Sequence, residues 1–168
     1  MEKKWVFQPE VDEVKVQFLA DKLKVEPFVG RLLVQRGLET EAEARAFFRP
    51  SLDDLHDPFL LKDMDRAVNR INNAIKKQEG ILLFGDYDVD GTTAVALMYE
   101  QLRRFHPNLH YYIPDRYKEG YGLSQQGIDY AQSENCSLMI TLDCGIKSNQ
   151  LVEDAKKQGI DFIICEIR

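Results

Sequence analysis

Three aspartates stand at alternate positions in the segment GDYDVDG, residues 85–91, directly after an apolar run. Alternate residues of an extended segment point to the same side, so Asp86, Asp88 and Asp90 should share a face. Carboxylates gathered on one side repel one another, and their pKa values rise unless cations or hydrogen-bond donors compensate the charge. Hard divalent cations such as Mn²⁺ and Mg²⁺ bind such oxygen ligands. The segment therefore predicts a metal site.

A further aspartate, Asp143, follows another apolar run in the segment TLDCG, residues 141–145. If the two runs are neighbouring strands of a parallel sheet with order 2-1-3-4, both loops face one crevice at its carboxyl edge. Two ions held there, roughly 3.5 to 4 Å apart and bridged by Asp143, could activate water and stabilise the leaving oxygen of a phosphodiester. Asp88, Asp90 and Asp143 are therefore the candidate catalytic residues.

Other interpretations of the first segment stay open. It could be a solvated acidic turn, since aspartate and glycine are common in turns. The loop of an EF-hand matches at its first, third, fifth and sixth positions, but the twelfth position holds Leu97 in place of glutamate. The signature of haloacid dehalogenase-like phosphatases, DxDGT, matches residues 88–92 and would make Asp88 a covalent nucleophile. That signature leaves Asp86 and Asp143 without a role.

Four short apolar runs alternate with helix-length segments that have polar faces. This alternation predicts a parallel α/β sheet. Since about 98% of such crossovers are right-handed and parallel sheets are covered on both faces, a doubly wound fold is expected. The predicted strands are residues 81–85, 109–113, 138–142 and 161–165.

The chain ahead of the sheet has the pattern of short helices. Pro27 suits a first helical turn, and Thr40 with Glu43 forms a capping box. A turn-rich stretch over residues 49–58 is typical of a linker. The predicted domains are a helical amino-terminal segment, 1–60, and a partial metal-binding α/β domain, 61–168.

Composition limits the kinds of partner. The net charge of −6 argues against a surface that attracts nucleic acid through its own field, so a nucleic-acid role requires metal ions or further domains. No apolar run approaches the roughly 20 residues that span a bilayer, and the amino terminus lacks the apolar region of a signal peptide. The three cysteines have no CxxC spacing. We expect a cytoplasmic protein with reduced thiols and no membrane contact.

The loop after the second strand combines cations with aromatic rings and glycines, and it could grip phosphates and stack on bases. An ordinary surface loop is the alternative. Thr92 opens the helix after the aspartates, where free N–H groups favour an anion. The three histidines follow no metal-ligand spacing, so surface or capping roles are expected for them. The candidate substrate-binding residues are Arg116, Tyr121, Gly122 and Thr92, with Tyr117 and Lys118 beside them.

The segments GDYDVDG and LDCGI, the latter at residues 142–146, resemble the first two motifs of the DHH phosphoesterase superfamily. Flanking stretches, such as IPDRYKEGYGL at residues 113–123, resemble the amino-terminal part of its single-stranded-DNA-specific exonucleases. The resemblance implies that Asp88 and Asp90 bind metal, Asp143 bridges two Mn²⁺ or Mg²⁺ ions, and Asp86 is a supporting carboxylate.

The resemblance also implies 5′ to 3′ digestion of single-stranded DNA in repair and recombination. The third motif, Asp-His-His, is expected after the fourth strand, where the chain has Cys165-Glu166-Ile167-Arg168. We therefore expect an amino-terminal fragment that is inactive or nearly inactive alone. Two alternatives from other classes stay open: the haloacid dehalogenase-like phosphatase and a non-catalytic module that binds a protein partner through its helical front.

Overall fold

The computed structural model describes residues 4–166. The first three residues, part of the segment compared with signal peptides above, and Ile167 with Arg168 lie outside that range. The chain divides into two compact units, one up to Asp57 and one from Pro58. The assignment of the domains to 1–60 and 61–168 remains a proposal.

The first unit consists of short helices, as predicted for this part of the chain. Pro27 occupies the first turn of the second helix, and the capping box forms at the third: the Glu43 N–H donates to Thr40 Oγ1 at 3.2 Å, and the Thr40 N–H donates to Glu43 Oε2 at 2.9 Å. A small buried hydrophobic cluster includes Val16, Leu19 and Leu33. The helices are α1 (Glu13–Leu23), α2 (Pro27–Gln35) and α3 (Glu41–Phe48), with a 3₁₀ turn at Leu52–Asp54.

The second unit is a four-stranded parallel sheet with strand order β2-β1-β3-β4, so both the fold class and the predicted strand order are confirmed. A 3₁₀ turn at Pro58–Leu60 precedes it. The elements are α4 (Met64–Lys77), β1 (Gly80–Gly85), α5 (Val89–Leu102), β2 (Leu109–Tyr112), α6 (Gln125–Ser133), β3 (Cys136–Leu142), α7 (Asn149–Lys157) and β4 (Asp161–Cys165).

Both faces of the sheet are covered, which is why β1 is apolar at every position from Ile81 to Phe84. On one face, Leu82, Phe84 and Met139 pack with residues of α6 and α7. On the other face, alternate residues of the same strands pack with residues of α4 and α5. Two helices on each face are the doubly wound arrangement. No helix within residues 4–166 combines the length and apolarity needed to cross a membrane.

An ion-pair network closes the amino edge of the sheet, where the strands begin. Arg70 of α4 donates to Glu79 Oε2 at 2.7 Å and to Asp161 Oδ2 at 2.8 Å, and the Ser137 hydroxyl donates to Glu79 at 2.7 Å. The Ser137 hydrogen bond and Arg70 hold the pKa of Glu79 below its ordinary value, although burial opposes them. Glu79 and Asp161 at this edge therefore both have a positively charged partner.

His106 lies at the same edge and is fully buried, with Nε2 2.7 Å from the Glu79 carbonyl oxygen. The surface or capping role expected for it is wrong. His106 lies between α5 and β2, and its burial depends on tertiary packing that histidine spacing does not encode.

Candidate functional site

Two glycines shape the first acidic loop at the carboxyl edge. A Cβ on Gly85 would come within 2.5 Å of Val95 Cγ2, and a Cβ on Gly91 would come within 2.5 Å of the Asp86 carbonyl oxygen. Only glycine allows the start of α5 to approach the end of β1 this closely. Asp88 caps α5, with its Oδ1 accepting from the Gly91 N–H at 3.0 Å. The chain thus passes from strand to helix within three residues.

The three aspartates of this loop occupy different environments. Asp86 is fully buried, and its oxygens accept from the Tyr87 N–H at 2.7 Å and the Gly122 N–H at 3.2 Å. Asp88 is half-buried, and Asp90 is exposed in the first turn of α5. The extended conformation predicted across all three is therefore wrong, because α5 already begins at Val89.

Asp143 follows β3 immediately and faces the same edge. Gly85 and Leu142 are register partners, so Asp86 and Asp143 both come directly after paired positions of β1 and β3. Asp143 has a left-handed backbone, with φ 58°, and its N–H donates to the Cys165 carbonyl at 2.8 Å. Burial raises the pKa of Asp143, and the charges of Asp88 and Asp90 raise it further. The two acidic loops therefore repel each other at one place.

Glu166 joins this cluster and was not assigned a role from the sequence. It follows β4, accepts from the Ile146 N–H at 3.0 Å and contributes to the raised pKa of Asp143. The signal that could have found it is position, because it follows its strand as Asp143 follows β3. Burial, followed by the charges of Asp86 and Asp143, raises the pKa of Cys144 to about 12, so Cys144 stays a neutral thiol at neutral pH.

The loop between β2 and α6, residues 113–124, lies beside the acidic cluster. The Arg116 guanidinium lies over the Tyr87 ring, 5.3 Å from its centroid, and Tyr87 and Tyr121 make an edge contact at 6.0 Å. Burial raises the pKa of Tyr121, and the charges of Asp86, Asp88 and Asp143 raise it further. Arg116 and Tyr121, together with Gly122, are thus brought to the site.

The other residues predicted to contact substrate are Thr92, Tyr117 and Lys118, and all three are exposed. The Thr92 hydroxyl is exposed and donates to the Asp88 carbonyl at 2.7 Å, so it lies at the helix start as expected. The Tyr117 side chain is 96% exposed, and Lys118 pairs loosely with Asp115 at 3.7 Å. Tyr87, which links the two loops, was missed, although an aromatic residue between two aspartates was a visible signal.

The donor atoms at this edge suit a hard divalent cation, since they are carboxylate oxygens with a charge excess. None of the ion pairs between residues 4 and 166 involves Asp86, Asp88, Asp90 or Asp143. Within the same range, no three histidine, cysteine, aspartate or glutamate side chains already stand in a metal-holding arrangement. Repelling carboxylates are expected to stand apart until a cation draws them together.

Fold and site define a parallel α/β domain whose clustered acidic side chains lie at the carboxyl edge beside the strand-order reversal. A family model described as "DHH family, N-terminal domain" matches residues 80–166, and the chain belongs to this family. The resemblance seen in the two acidic motifs is thereby confirmed, and it favours the DHH interpretation over a haloacid dehalogenase-like one.

The curated relatives carry the name single-stranded-DNA-specific exonuclease RecJ. The chain is 41% identical over 155 residues to RecJ of Bacillus subtilis (strain 168), covering 92% of this chain and 20% of the relative. It is 32% identical over 141 residues to RecJ of Escherichia coli (strain K12), covering 83% and 24%. The chain therefore spans about a fifth to a quarter of the length of these relatives.

Two solved structures are similar in fold. A crystal structure of exonuclease RecJ bound to manganese matches with a TM-score of 0.58 and 29% identity, covering 63% of this chain and 27% of that one. RecJ of Thermus thermophilus in complex with Mn²⁺ matches with a TM-score of 0.65 and 22% identity, covering 91% and 21%. The second match bears on the fold alone.

Proposed function

We propose that this chain supplies the acidic metal-binding loops of an exonuclease that digests single-stranded DNA from 5′ to 3′ in repair and recombination. The observation that carries the proposal is the convergence of two acidic loops at one edge of the sheet, since they follow the register partners Gly85 of β1 and Leu142 of β3. The names of the relatives and the manganese in the two similar structures support it. The two alternatives from other classes have no comparable observation.

In this proposal Asp88, Asp90 and Asp143 hold Mn²⁺ or Mg²⁺, with two ions in the complete enzyme. Bound ions would lower the pKa of a water molecule and stabilise charge on the leaving oxygen. Asp86 is the supporting carboxylate, because two backbone N–H groups already fix its oxygens. The cations would also offset the acidic edge, which otherwise repels a phosphodiester.

The loop at residues 113–124 is the proposed contact for DNA. The Arg116 guanidinium is exposed and suits phosphate, and the exposed ring of Tyr121 suits base stacking. The Gly122 backbone and Thr92 at the start of α5 would complete this contact. The free thiols of the three cysteines support a reducing, cytoplasmic location.

The chain alone should turn over DNA slowly or not at all. Of the histidines in the second unit, His106 lies at the amino edge and His110 lies within β2 beside Glu134. Neither of these two imidazoles stands among the aspartates, so the coordination set there consists of carboxylates. An incomplete ligand set weakens metal affinity and misplaces the attacking water.

Binding of Mn²⁺ to the 168-residue chain tests the proposal. Electron paramagnetic resonance of free Mn²⁺ should show signal loss with the wild-type chain and much less with Asp88→Asn or Asp143→Asn. The matched control is Asp129→Asn, an exposed aspartate on α6 that accepts from Gln125 and should leave binding unchanged. Equal binding by all four proteins would overturn the assignment. A parallel assay on 5′-labelled single-stranded DNA should show little turnover, and robust turnover would contradict the expected inactivity.

A further inference from the structure

The loop at residues 113–124 leaves β2 and returns into α6, and one carboxylate joins its two ends. We propose that Glu119 is a positioning residue of the acidic site. It joins Tyr112, Asp115 and Ser124, which together form the neck of this loop, and so holds the Gly122 N–H on Asp86. The hydrogen bonds of Glu119 and of the Gly122 N–H do not require a metal ion. The effect of Glu119 on metal affinity rests on the proposed function.

Glu119 is half-buried and is surrounded by donors from three segments. Its Oε1 accepts from the Asp115 N–H at 2.8 Å, and its Oε2 accepts from the Ser124 hydroxyl at 2.6 Å. The Tyr112 hydroxyl lies 3.0 Å from both oxygens. Tyr112 ends β2, Asp115 begins the loop and Ser124 caps α6, so Glu119 ties strand, loop and helix together.

The position suits a carboxylate and no other side chain of that size. Burial raises the pKa of Glu119, but the Ser124, Asp115 and Tyr112 hydrogen bonds outweigh it and hold the pKa below its ordinary value. Both oxygens meet donors, whereas a glutamine would turn its own NH₂ group toward one of them. That substitution leaves a donor without an acceptor at almost unchanged volume.

The neck is anchored to the strand that carries the first acidic loop. Tyr112 stacks on Phe84 with a centroid distance of 5.7 Å and an interplanar angle of 15°. The Ser124 hydroxyl accepts from the Gly127 N–H at 3.1 Å, and a Cβ on Gly127 would come within 2.5 Å of the Phe84 ring. Both ends of the loop therefore pack around Phe84, two residues before Asp86.

The far side of the loop reaches Asp86 through a backbone N–H. Gly120 and Gly122 have φ of 84° and 91°, which favour glycine, and they flank Tyr121. The Gly122 N–H then donates to Asp86 Oδ2 at 3.2 Å. A weakened neck should release this N–H first, because backbone hydrogen bonding and the Tyr87 contact are what retain the tip.

Amide hydrogen exchange of the Glu119→Gln chain, followed by NMR, is the test. Exchange of the Gly122 amide should accelerate about tenfold, with the increase confined to residues 113–124, because a charge-assisted hydrogen bond is lost at the neck. Glu153→Gln, at an exposed glutamate of α7, is the matched control and should change nothing in this loop. Unchanged Gly122 exchange, or a uniform increase across the whole second unit, would overturn the proposal.

Tyr112→Phe is the second variant and keeps the ring stacked on Phe84. It should produce the same local pattern with a smaller increase, so the proposal stays testable even where Glu119→Gln unfolds. A Mn²⁺ titration of Glu119→Gln, Asp86→Asn and the double variant adds a coupling measurement. If Glu119 acts through Asp86, the double variant should bind Mn²⁺ no more weakly than Asp86→Asn. Multiplicative losses would contradict that route, whereas absence of Mn²⁺ binding by the wild type would refute the proposed function and leave the exchange result standing.

Discussion

The two edges of the sheet carry carboxylates in opposite electrostatic settings. At the amino edge, Glu79 and Asp161 share the Arg70 guanidinium, and the pKa of Glu79 is lowered. At the carboxyl edge, burial raises the pKa of Asp143, and the charges of Asp88 and Asp90 raise it further. Carboxylates thus stabilise the folded chain at the amino edge and destabilise it through repulsion at the carboxyl edge.

This difference separates structural from functional charge. A carboxylate with partners contributes to the free energy of unfolding, whereas a set of repelling carboxylates costs stability unless a ligand compensates it. Under the proposed function, a bound cation offsets that cost. The two edges should therefore respond in opposite ways to charge removal.

The largest effect should be on metal affinity. Asp143→Asn should weaken Mn²⁺ binding by about 100-fold, because it removes the carboxylate proposed to bridge both ions. Arg70→Gln, at the opposite edge, should leave the affinity within about twofold, since it touches no proposed ligand. Isothermal titration calorimetry of the two variants checks this pair. Comparable losses for both would remove the distinction between the edges.

The next effect is on stability at the amino edge. Arg70→Gln should lower the free energy of unfolding by about 2 kcal/mol, because it removes the cation from the part-buried Glu79 and from the exposed Asp161. Arg66→Gln is the control, since the Arg66 side chain is 78% exposed and pairs with Asp63 at the start of its own helix. Urea unfolding of both variants measures the difference. A loss below about 0.5 kcal/mol for Arg70→Gln would show that the amino edge is not held by charge.

The smallest effect has the opposite sign. Without metal at neutral pH, Asp143→Asn should stabilise the chain by about 0.5 kcal/mol after allowance for solvent screening. The pKa of Asp143 in the folded wild type is raised above the ordinary value of 3.8. Just above pH 3.8 the folded state therefore binds more protons than the unfolded state, and the wild type loses stability as the pH rises to the folded-state pKa of Asp143. The advantage of Asp143→Asn should therefore grow above pH 3.8 and then level off. Urea unfolding in chelator across pH tests this, and an advantage independent of pH would reflect only the preference of asparagine for the left-handed backbone.

Much of the site followed from the sequence because strand ends are encoded by local pattern. The apolar runs before Asp86 and Asp143 predicted strands, and the parallel arrangement then placed both residues at one edge. The strand order confirmed that they are neighbours. The placement of Asp90 was less predictable, since the Asp88 cap starts α5 one residue before it.

The contacts between loops could not be predicted in the same way. Glu119 contacts its hydrogen-bond donors because Tyr112, Asp115 and Ser124 converge in three dimensions. The spacing of these residues in the sequence does not predict that convergence. The Tyr87 ring contacts Arg116 and Tyr121, whose loop turns at Gly120 and Gly122 with positive φ. Such features depend on tertiary packing, which local patterns do not specify.

Under the proposed function, one cation contacts both acidic loops. Adding Mn²⁺ well below one equivalent to the isotopically labelled chain should broaden nearby amide resonances through paramagnetic relaxation. The amide resonances of Gly91 and Gly145 should broaden together at the same Mn²⁺ fraction, while amides at the amino edge such as Gly80 stay sharp. Broadening of one acidic loop without the other would show that the two loops do not share a cation.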